Sequence, residues 1–535
     1  MFCLIEEQKG MSDYFVRKSS GLIRQFTWRE AFLISQGVQA ASFWAVGSQV
    51  AWVIGADPGA DLVISTFLGF LFSLPLGLTY YLLSTAMPRS GGDYVWISRL
   101  ANPVLGFVAG WAYWIAVSAL LGSVSAIVAG AIVGNAAISL GYWFNNPGLI
   151  ALATTLTSSN MNIFAVGLVM ILGGYAITAF GAKFFSYVMT AAFILVVIGT
   201  VAAFWVLGTA THADFVQAIN TFGVNLSYSG YLDLAAQNGW SLTPITWVWT
   251  LQSIPYSILL YNGFNYAAAA SGEVRKPKSS MLIGIMGALA FGLVINMVGI
   301  LFSVNVFGFD FLQSTVYLFN NGKWPYPTPP YINLFITPLI HDPLTLVLVQ
   351  LGWIMWLVNW AGGIAIVCQR YIFAFSFDRI LPVKLADVST KYRIPTMAWL
   401  VNIFVAFLFA ILAVFTPFLG VLLNSITIWS IVWFLASIVA IYVPFSKFKD
   451  SVKVLPGASW RVPLISIVAV FSAIAMALTF YYSVTTPAVG PSTFQSDLVL
   501  GAIFGSAIVI YAVSYVLNKR RGIDLGLIYS EIPPE

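Results

Sequence analysis

Long stretches without a charged residue constrain this chain more than any other feature of its sequence. Only 8% of the residues are charged and 59% are hydrophobic, whereas about 25% of residues are charged in an average soluble domain. A helix needs about 20 mostly apolar residues to cross the hydrocarbon core of a bilayer. Stretches of that length recur along the chain, so the sequence predicts an all-α membrane protein rather than a water-soluble globule.

Twelve such stretches are separated by polar or turn-forming residues. They predict twelve transmembrane helices, numbered 1 to 12 in chain order: 28–54, 62–86, 104–135, 161–180, 184–207, 245–270, 281–305, 344–375, 396–416, 420–443, 463–483 and 498–517. The two longest connections, 208–244 and 306–343, are rich in Gly, Pro, Asn and aromatic residues. We expect them to form ordered caps or loops outside the membrane.

The distribution of Lys and Arg supports this number of helices. If the N-terminus is cytoplasmic and the chain alternates sides, all but one of the 24 Lys and Arg residues fall on the cytoplasmic side, and Lys323 is the exception. Cationic loops resist translocation, so this bias is typical of a correct topology. An error in the helix count would scramble it. The sequence therefore predicts a multi-pass protein of the plasma (inner) membrane with both termini in the cytoplasm.

The twelve helices divide into two groups of five and a final pair. Helices 1 and 6 open the successive groups, which fits a five-plus-five inverted repeat, although the two groups show no convincing residue-level similarity. The expected organisation is a cytoplasmic segment (1–27), a first repeat (28–207), an extracellular loop (208–244), a second repeat (245–443) and a C-terminal part with helices 11 and 12 and a cytoplasmic tail (444–535).

The predicted spans carry almost no ionisable residue. Glu30 and Arg370 lie near cytoplasmic ends, and no Asp, Glu, Lys or His lies near the middle of a span. A membrane hydrolase, a proton pump and a haem protein would need metal ligands, a nucleophile with its base, buried carboxylates or axial histidines there. We therefore predict that the chain is not an enzyme, binds no metal or cofactor, and has no nucleic acid partner.

Main-chain groups can bind a polar solute where charged side chains are absent. A helix broken at the membrane midplane offers N–H groups to a carboxylate and carbonyls to an ammonium, and an amino acid carries both. Helix 1 has small and amide residues at Ser35–Ser42 and Ala45–Ser48, and helix 6 has Pro255–Ser257 followed by Tyr261–Asn265. Matching interruptions in two halves indicate a transporter site. The alternative is that Gly and Pro only allow close helix packing.

Several motifs of the cytoplasmic loops resemble those of one transporter family. Met87–Arg99 contains P-R-S-G-G-D-Y-V-W, Tyr261–Asn265 is followed by G-E-V-R-K-P at Gly272–Pro277, and Phe377–Pro382 reads F-D-R-I-L-P. In order and position these motifs resemble the conserved loops of the amino acid–polyamine–organocation (APC) superfamily, and Ile394-Pro395 stands where that family has Thr-Pro.

The resemblance covers about residues 26 to 445, and helices 11 and 12 match by hydropathy only. The chain departs from the family pattern in three places. Asn265 stands where the family often has an acid, Gln36–Gln39 replaces a G-x-G-x-G run, and Arg379 replaces a glycine.

The resemblance implies a secondary active or exchange transporter of amino acids that works by alternating access. The lack of a midplane carboxylate favours neutral or aromatic amino acids. A polyamine or organocation transporter and a non-transporting amino acid sensor on the same fold are the alternatives.

By this resemblance the substrate lies between helices 1, 3, 6, 8 and 10. The candidate substrate-binding residues are Gln36, Gly37, Val38, Gln39, Ala40, Ala41, Ser257, Tyr261, Asn262, Gly263, Tyr113, Trp353, Asn359, Trp360 and Asn424. For the aromatic residues the alternative role is packing.

Charged residues of the cytoplasmic loops are candidates for a gate. They are Arg89, Asp93, Glu273, Arg275 and Asp378. We expect Arg89 and Asp93 to form ion pairs with loop 6–7 or 8–9, and Glu273 to cap helix 6 or contact the cytoplasmic end of helix 1. The alternative is that these charges are solvated and only set topology. Gly91-Gly92 predicts a tight turn with positive φ.

No coupling-ion site is evident in the sequence. Sodium-coupled relatives of the fold have hydroxyls near the middle of helix 8, but Gly352–Arg370 contains no Ser or Thr. Some proton-coupled relatives have a lysine in helix 5, where this chain has Ala191–Phe193. Exchange, uniport and proton coupling through an unidentified group therefore stay open.

Overall fold

Helices build the part of the protein that the structure describes. A computed structural model describes residues 21–39, 42–222, 226–416, 425–453, 455–486 and 494–533. Within these ranges the regular structure is helical, apart from two isolated bridges, Phe26–Val274 and Val388–Pro395. Ten of the described helices are long and apolar enough to cross a bilayer. The other two predicted spans, helices 1 and 6, are present but interrupted.

The observed helices confirm the predicted spans. Helix 1 consists of helix 1a (Trp28–Gln39) and helix 1b (Phe43–Ala56). Helix 6 consists of helix 6a (Trp247–Gln252 and Ile254–Leu259) and helix 6b (Tyr266–Ala269). The remaining spans are helix 2 (Leu62–Ala86), 3 (Pro103–Trp143), 4 (Asn160–Ala179), 5 (Ala182–Thr209), 7 (Pro277–Phe307), 8 (Pro343–Phe377), 9 (Thr396–Phe415), 10 (Ser425–Tyr442), 11 (Leu464–Thr485) and 12 (Phe494–Arg520).

Two boundaries need comment. Helix 3 continues eight residues past its predicted end at 135, because Ala136–Trp143 contains neither Pro nor a charge to stop it. The predicted start of helix 10 at residue 420 lies outside the described residues.

Short helices fill the connections between spans. One of them, Asp93–Leu100, lies between helices 2 and 3, and another, Pro147–Thr157, lies between helices 3 and 4. The two long connections contain helices as expected: His212–Thr221, Tyr228–Gln237, Phe309–Asn320 and Ile332–Ile336. We call the end of the bundle that carries these four helices the capped face, and the opposite end, with residues 21–27, 87–92 and 378–395, the N-terminal face.

Burial separates the central helices from the lipid-facing ones. In the most apolar part of helix 8, 78% of the residues are buried, against 11% in helix 12. Helix 1a packs closely on helix 8, because a Cβ atom on Gly37 would lie 2.7 Å from the Asn359 carbonyl oxygen. The central part of the interrupted helix 1 is therefore buried inside the bundle.

Candidate functional site

The interruption of helix 1 lies between Gln39 and Phe43. Ser42, the residue before helix 1b, has an extended backbone with φ −162° and ψ 172°, and its side chain makes no capping hydrogen bond. The Phe43 N–H instead donates to the Thr200 hydroxyl of helix 5 at 3.1 Å. The first N–H groups of a helix have no partner within it and carry partial positive charge. Helix 1b thus begins inside the protein with its positive end near the middle of the bundle.

The interruption of helix 6 spans Leu260–Asn265. Gly263 has φ +113°, a left-handed conformation that glycine adopts without steric cost. The N–H groups of Tyr261 and Asn262 bond to carbonyls three residues back, and regular α-helical bonding stops there. Pro255 lies at the start of the second segment of helix 6a, just after a small interruption at Ser253. The predicted break is therefore confirmed at the glycine, and the proline adds a second irregularity towards the capped face.

Two hydrogen bonds join the broken helices to each other. The Ser35 hydroxyl of helix 1a donates to the Phe264 carbonyl at 2.8 Å, and both groups are buried. On the other side of the breaks, the Gln49 amide of helix 1b donates to the Ser257 hydroxyl of helix 6a at 3.3 Å. Gln49 and Ser35 were not among the predicted site residues, because their sequence neighbours give no sign of a partner over 200 residues away.

Tryptophan side chains surround the start of helix 1b. Trp44 stacks on Trp356 of helix 8 with ring centroids 3.7 Å apart, and Trp353 lies 5.8 Å from Phe43. The buried indole N–H groups of Trp44, Trp353 and Trp356 have no hydrogen-bond partner among the described residues. Buried donors of this kind are uncommon in native structures. They are donors that a polar solute at the start of helix 1b can use.

The predicted aromatic and amide residues do not all face the interruptions. Tyr113 of helix 3 does, because its hydroxyl accepts from the Asn265 amide at 2.9 Å. Trp360 packs beside Trp356 with ring centroids 5.6 Å apart. The Tyr261 hydroxyl instead donates to the Thr66 carbonyl of helix 2 at 3.2 Å.

Asn359 is turned away from the interruptions and towards helix 5. With its amide nitrogen on the Met189 carbonyl (3.1 Å), its oxygen accepts from the Phe193 N–H (2.9 Å). The main-chain carbonyl oxygen of Asn359 packs directly against Gly37 of helix 1a. Its contacts therefore join helices 8, 5 and 1a.

The other predicted binding residues are distributed as follows. Gln36, Ser257 and Asn262 are buried within or beside the two interruptions. Ala40, Ala41 and Asn424 lie outside the described residues, as do the side chains of Val38 and Gln39.

Two buried ion pairs hold the N-terminal face. Arg370 of helix 8 bonds both oxygens of Glu273 at 2.5 and 2.9 Å, and Arg99 bonds both oxygens of Asp378 at 2.6 and 2.7 Å. The Tyr94 hydroxyl also donates to Asp378 at 2.5 Å. Bidentate pairs of this kind have fixed geometry and are costly to break when buried. Their partners join helix 6 to helix 8 and the short helix Asp93–Leu100 to the end of helix 8.

Main-chain bonds close the same face around helix 1a. The N–H groups of Gln25 and Phe26 both donate to the Glu273 carbonyl at 2.9 Å, and the Arg275 N–H donates to the Phe26 carbonyl at 2.7 Å. The Arg275 guanidinium adds a 2.9 Å bond to the Arg24 carbonyl. The segment before helix 1a is thus tied to the end of helix 6, which is the contact expected for Glu273 and its neighbours.

The loop between helices 2 and 3 contacts the end of helix 6b. Gly91 and Gly92 have φ +103° and +48°, so the predicted tight turn is confirmed. The turn lets the Gly91 N–H donate to the Ala269 carbonyl at 2.9 Å, while the Ser271 hydroxyl donates to the Arg89 carbonyl at 3.1 Å. The loop is therefore bonded to the main chain of helix 6b.

Asp93 forms no ion pair with any described residue, loops 6–7 and 8–9 included, so the expected pairing is wrong for this residue. Its carboxylate accepts from the Tyr80 hydroxyl of helix 2 at 3.0 Å and from the Tyr371 hydroxyl of helix 8 at 2.5 Å. The Arg89 guanidinium donates to the Pro88 and Pro533 carbonyls. Tyrosine hydroxyls took the place of the basic partner because Gly91-Gly92 turns the first residue of the short helix inwards, between helices 2 and 8.

The C-terminal tail completes the N-terminal face. The Tyr529 ring lies 4.7 Å from the Arg99 guanidinium, and its hydroxyl is 3.0 Å from that of Tyr94. Tyr529 is buried. The tail thus covers the Arg99–Asp378 ion pair, a contact for which the sequence carries no signal.

These features define a class: a multi-pass helical membrane protein built around two interrupted helices. The chain belongs to the amino acid permease family, because a sequence model of that family, described as "Amino acid permease", matches residues 26–507. The expected place in the APC superfamily is confirmed, and the family consists of transporters rather than enzymes.

Two characterised proteins resemble the chain over much of its length. It is 23% identical to the glutamate/serine transporter AimA of Bacillus subtilis (strain 168) over 393 residues, which are 71% of this chain and 64% of AimA. It is 23% identical to the branched-chain amino acid permease BcaP of Lactococcus lactis subsp. cremoris (strain MG1363) over 464 residues, which are 85% of this chain and 88% of BcaP.

Proposed function

We propose that this protein carries amino acids across the plasma membrane by alternating access, with the solute held by the main chain at the two interruptions. The observation that carries the proposal is the hydrogen bond from Ser35 of helix 1a to the Phe264 carbonyl in the helix 6 interruption, which joins the two broken helices inside the bundle. The start of helix 1b attracts a carboxylate, and carbonyls freed around Gly263 accept from an ammonium. Both relatives are named for amino acid transport, which supports the same substrate class.

A neutral side chain suits the surroundings of the interruptions best. The described residues there are aromatic, amide and hydroxyl side chains, among them Trp353, Trp356 and Tyr113. The buried arginines, Arg99 and Arg370, are already paired at the N-terminal face. Burial of an uncompensated charge is strongly unfavourable, so a charged substrate side chain is disfavoured. This chain matches BcaP over 88% of the length of BcaP. The name of that permease points towards branched-chain and similar apolar amino acids.

The N-terminal face is proposed to be cytoplasmic. Among the described residues, every Lys and Arg except Lys323 belongs to a connection or a helix end on that face, which is the bias expected of cytoplasmic loops. The five groups described above, Arg89, Asp93, Glu273, Arg275 and Asp378, then form or adjoin the cytoplasmic gate. Release of substrate to the cytoplasm requires the Glu273–Arg370 pair and the Phe26–Val274 bridge to separate.

Two alternatives make different predictions. A polyamine or organocation transporter would bind amines that lack a carboxylate. An amino acid sensor would bind its ligand without moving it. The positive end of helix 1b argues against the first alternative, because an amine has no carboxylate to bind there.

The experiment combines a binding screen with a flux assay. The purified protein is screened for thermal stabilisation by each standard amino acid, and the best ligand is then used in tracer counterflow with proteoliposomes. We expect stabilisation by a neutral or aromatic amino acid and counterflow of the same compound. Stabilisation without counterflow would establish a sensor, and stabilisation only by amines would establish the organocation alternative.

A further inference from the structure

Four carboxylates of the described residues are buried at the N-terminal face and differ in their partners, and the first of them, Glu30, lies 3.2 Å from the Arg29 guanidinium. Glu273 is paired with Arg370, and Asp378 is paired with Arg99. Asp93, only 1% exposed, has no basic partner among the described residues and accepts from two tyrosine hydroxyls. A buried carboxylate without a cation is strongly disfavoured in its charged form. Asp93 is therefore the acid on this face that most readily takes up a proton.

Asp93 lies beside a narrow crevice, and the other described residues that line it carry no charge. The crevice beside it is too small to hold a water molecule and is lined by Tyr80, Gly92, Tyr113, Asn265, Tyr266, Ala268, Ala269, Val367 and Tyr371. A hard metal cation takes about six oxygen ligands, for which this crevice has no room. A proton needs no coordination sphere. The geometry thus suits a proton and excludes a bound metal ion.

The titratable groups that face Asp93 are tyrosines. Helix 2 contributes Tyr80, helix 3 Tyr113, helix 6b Tyr266 and helix 8 Tyr371. On its own short helix the neighbouring Tyr94 and Arg99 are engaged with Asp378. Helix 10, which packs on this short helix, has the exposed Tyr442 as its one titratable side chain.

Asp93 is connected to the helix 6 interruption by two short routes. The Gly91 N–H, two residues before Asp93, donates to the Ala269 carbonyl at 2.9 Å. Tyr113, which shares the crevice with Asp93, accepts from the Asn265 amide at 2.9 Å. A change in the charge of Asp93 therefore affects its neighbours Gly91 and Tyr113, which are hydrogen-bonded to Ala269 and Asn265 of helix 6.

We propose that Asp93 binds the proton that is coupled to amino acid transport; this rests on the proposed function above. When the carboxylate takes a proton, one of its oxygens becomes a donor, and it can no longer accept equally from Tyr80 and Tyr371. The bonds that hold the short helix between helices 2 and 8 then weaken, and the N-terminal face can open. Return of the carboxylate to its charged form restores both tyrosine bonds and closes the face.

The acidity of Asp93 supports this role. Burial raises the pKa of Asp93 to about 6, and the bonds from Tyr371 and Tyr80 oppose that rise. A group with such a pKa changes its charge within the physiological range. Among the described residues, Asp57 on the capped face is also a buried acid with a comparable rise in pKa, so it provides a direct comparison.

The test uses full-length protein in proteoliposomes loaded at alkaline pH and diluted into acidic buffer. Tritiated L-leucine or L-phenylalanine, whichever stabilises the protein more, is the probe for both gradient-driven accumulation and counterflow. For the wild type, the pH gradient should increase accumulation, and a protonophore should remove the increase. Asp93→Asn should reduce gradient-driven accumulation about tenfold or more, since its proton site is lost, and the uptake that remains should respond neither to the pH gradient nor to the protonophore. Asp387→Asn, an exposed acid on the same face, should behave as the wild type.

A second variant keeps the test decisive if Asp93→Asn is unstable. Tyr371→Phe removes a donor to the charged carboxylate, so it should raise the pKa of Asp93 and shift the midpoint of the pH dependence upwards. An unshifted midpoint, full gradient-driven accumulation by Asp93→Asn, or loss of coupling in Asp57→Asn alone would overturn the assignment. A wild type that shows counterflow but ignores the pH gradient would overturn it too. A wild type without counterflow would refute the proposed function itself, and the coupling role with it.

Discussion

The hydroxyl of Ser35 in helix 1a donates a 2.8 Å hydrogen bond to the main-chain carbonyl of Phe264 in the helix 6 interruption. This bond joins regular helix 1a to helix 6 at the point where helix 6 leaves regular geometry. A carbonyl that an interruption frees inside the bundle must find a partner, because an unsatisfied buried carbonyl is costly. Ser35 thus stabilises the very irregularity on which the proposed binding site depends.

Replacement of Ser35 by Ala should loosen the site without unfolding the protein. The loss of one buried hydrogen bond typically costs about 0.5–1.5 kcal/mol, more when the remaining group stays unsatisfied. We expect a small drop in thermal stability and amino acid binding weakened about threefold to tenfold. Ser158→Ala removes a hydroxyl-to-carbonyl bond of 3.1 Å in an exposed segment and serves as the control. Equal binding by both variants would show that the Ser35 bond does not position the site.

Gly263→Leu should abolish amino acid binding while the protein still inserts and folds. The φ of +113° at Gly263 is one that leucine rarely adopts, so the interruption must change its conformation. The matched control is Gly173→Leu in helix 4, where the glycine faces open space. Binding is measured by ligand-induced thermal stabilisation, and folding by size-exclusion chromatography in detergent. Unchanged uptake by Gly263→Leu would remove helix 6 from the site.

Glu273 and Arg370 should show strong energetic coupling. Removal of one partner leaves a buried charge unpaired, which costs about 3–5 kcal/mol, whereas replacement of both by apolar residues is often near neutral. Glu273→Leu alone should therefore lower thermal stability much more than Glu273→Leu combined with Arg370→Met. The exposed Asp450–Lys453 pair is the control, since Asp450→Asn should leave thermal stability nearly unchanged. Additive effects at Glu273 and Arg370 would contradict the buried pair.

Asp57→Asn should stabilise the protein at alkaline pH. Asp57 follows helix 1b on the capped face, is fully buried, and neither carboxylate oxygen has a partner among the described residues. Burial raises its pKa from 3.8 to about 7. Because the folded pKa exceeds the unfolded one, this carboxyl reduces stability progressively as the pH rises from about 4 to about 7.

The expected difference between Asp57→Asn and the wild type is therefore absent at pH 4 and largest at pH 8. Thermal unfolding in detergent across this range measures it. Asp387→Asn, at an exposed position, should follow the wild type at every pH. A wild type that is no less stable than Asp57→Asn at pH 8 would show that Asp57 has a cationic partner.

The sequence predicts the spans well because the bilayer imposes one simple requirement on each. Twelve stretches of about 20 apolar residues and one-sided Lys and Arg are enough to place them, and helix 2 matches its predicted limits of 62 and 86. The short helix Asp93–Leu100 escaped prediction because it contains two charges and is too short to span. Its burial comes from contacts with helices 3 and 10, which no local pattern encodes.

The interruptions were predictable and their side-chain partners were not. Gly263 lowers helix propensity in helix 6, and the cluster of small and amide residues at Ser35–Ser42 indicates a weak point in helix 1, so the sequence alone pointed to both breaks. The partners of Asp93 lie 13 and 278 residues away, at Tyr80 and Tyr371. A tyrosine in a sequence does not show whether its hydroxyl binds a carboxylate or its ring only packs against its neighbours. The sequence therefore predicted a basic partner for Asp93, whereas in the structure two tyrosine hydroxyls bind its carboxylate.

The central claim is that the main chain of helices 1 and 6 binds both the carboxylate and the ammonium of one solute. The most direct measurement compares the affinity of the best-binding amino acid with that of the amine formed by removing its carboxylate, both titrated by thermal shift at the same pH. Because the charge-assisted bonds at the start of helix 1b are lost, the amine should bind about 100-fold more weakly. Equal affinity for the two compounds would contradict the account.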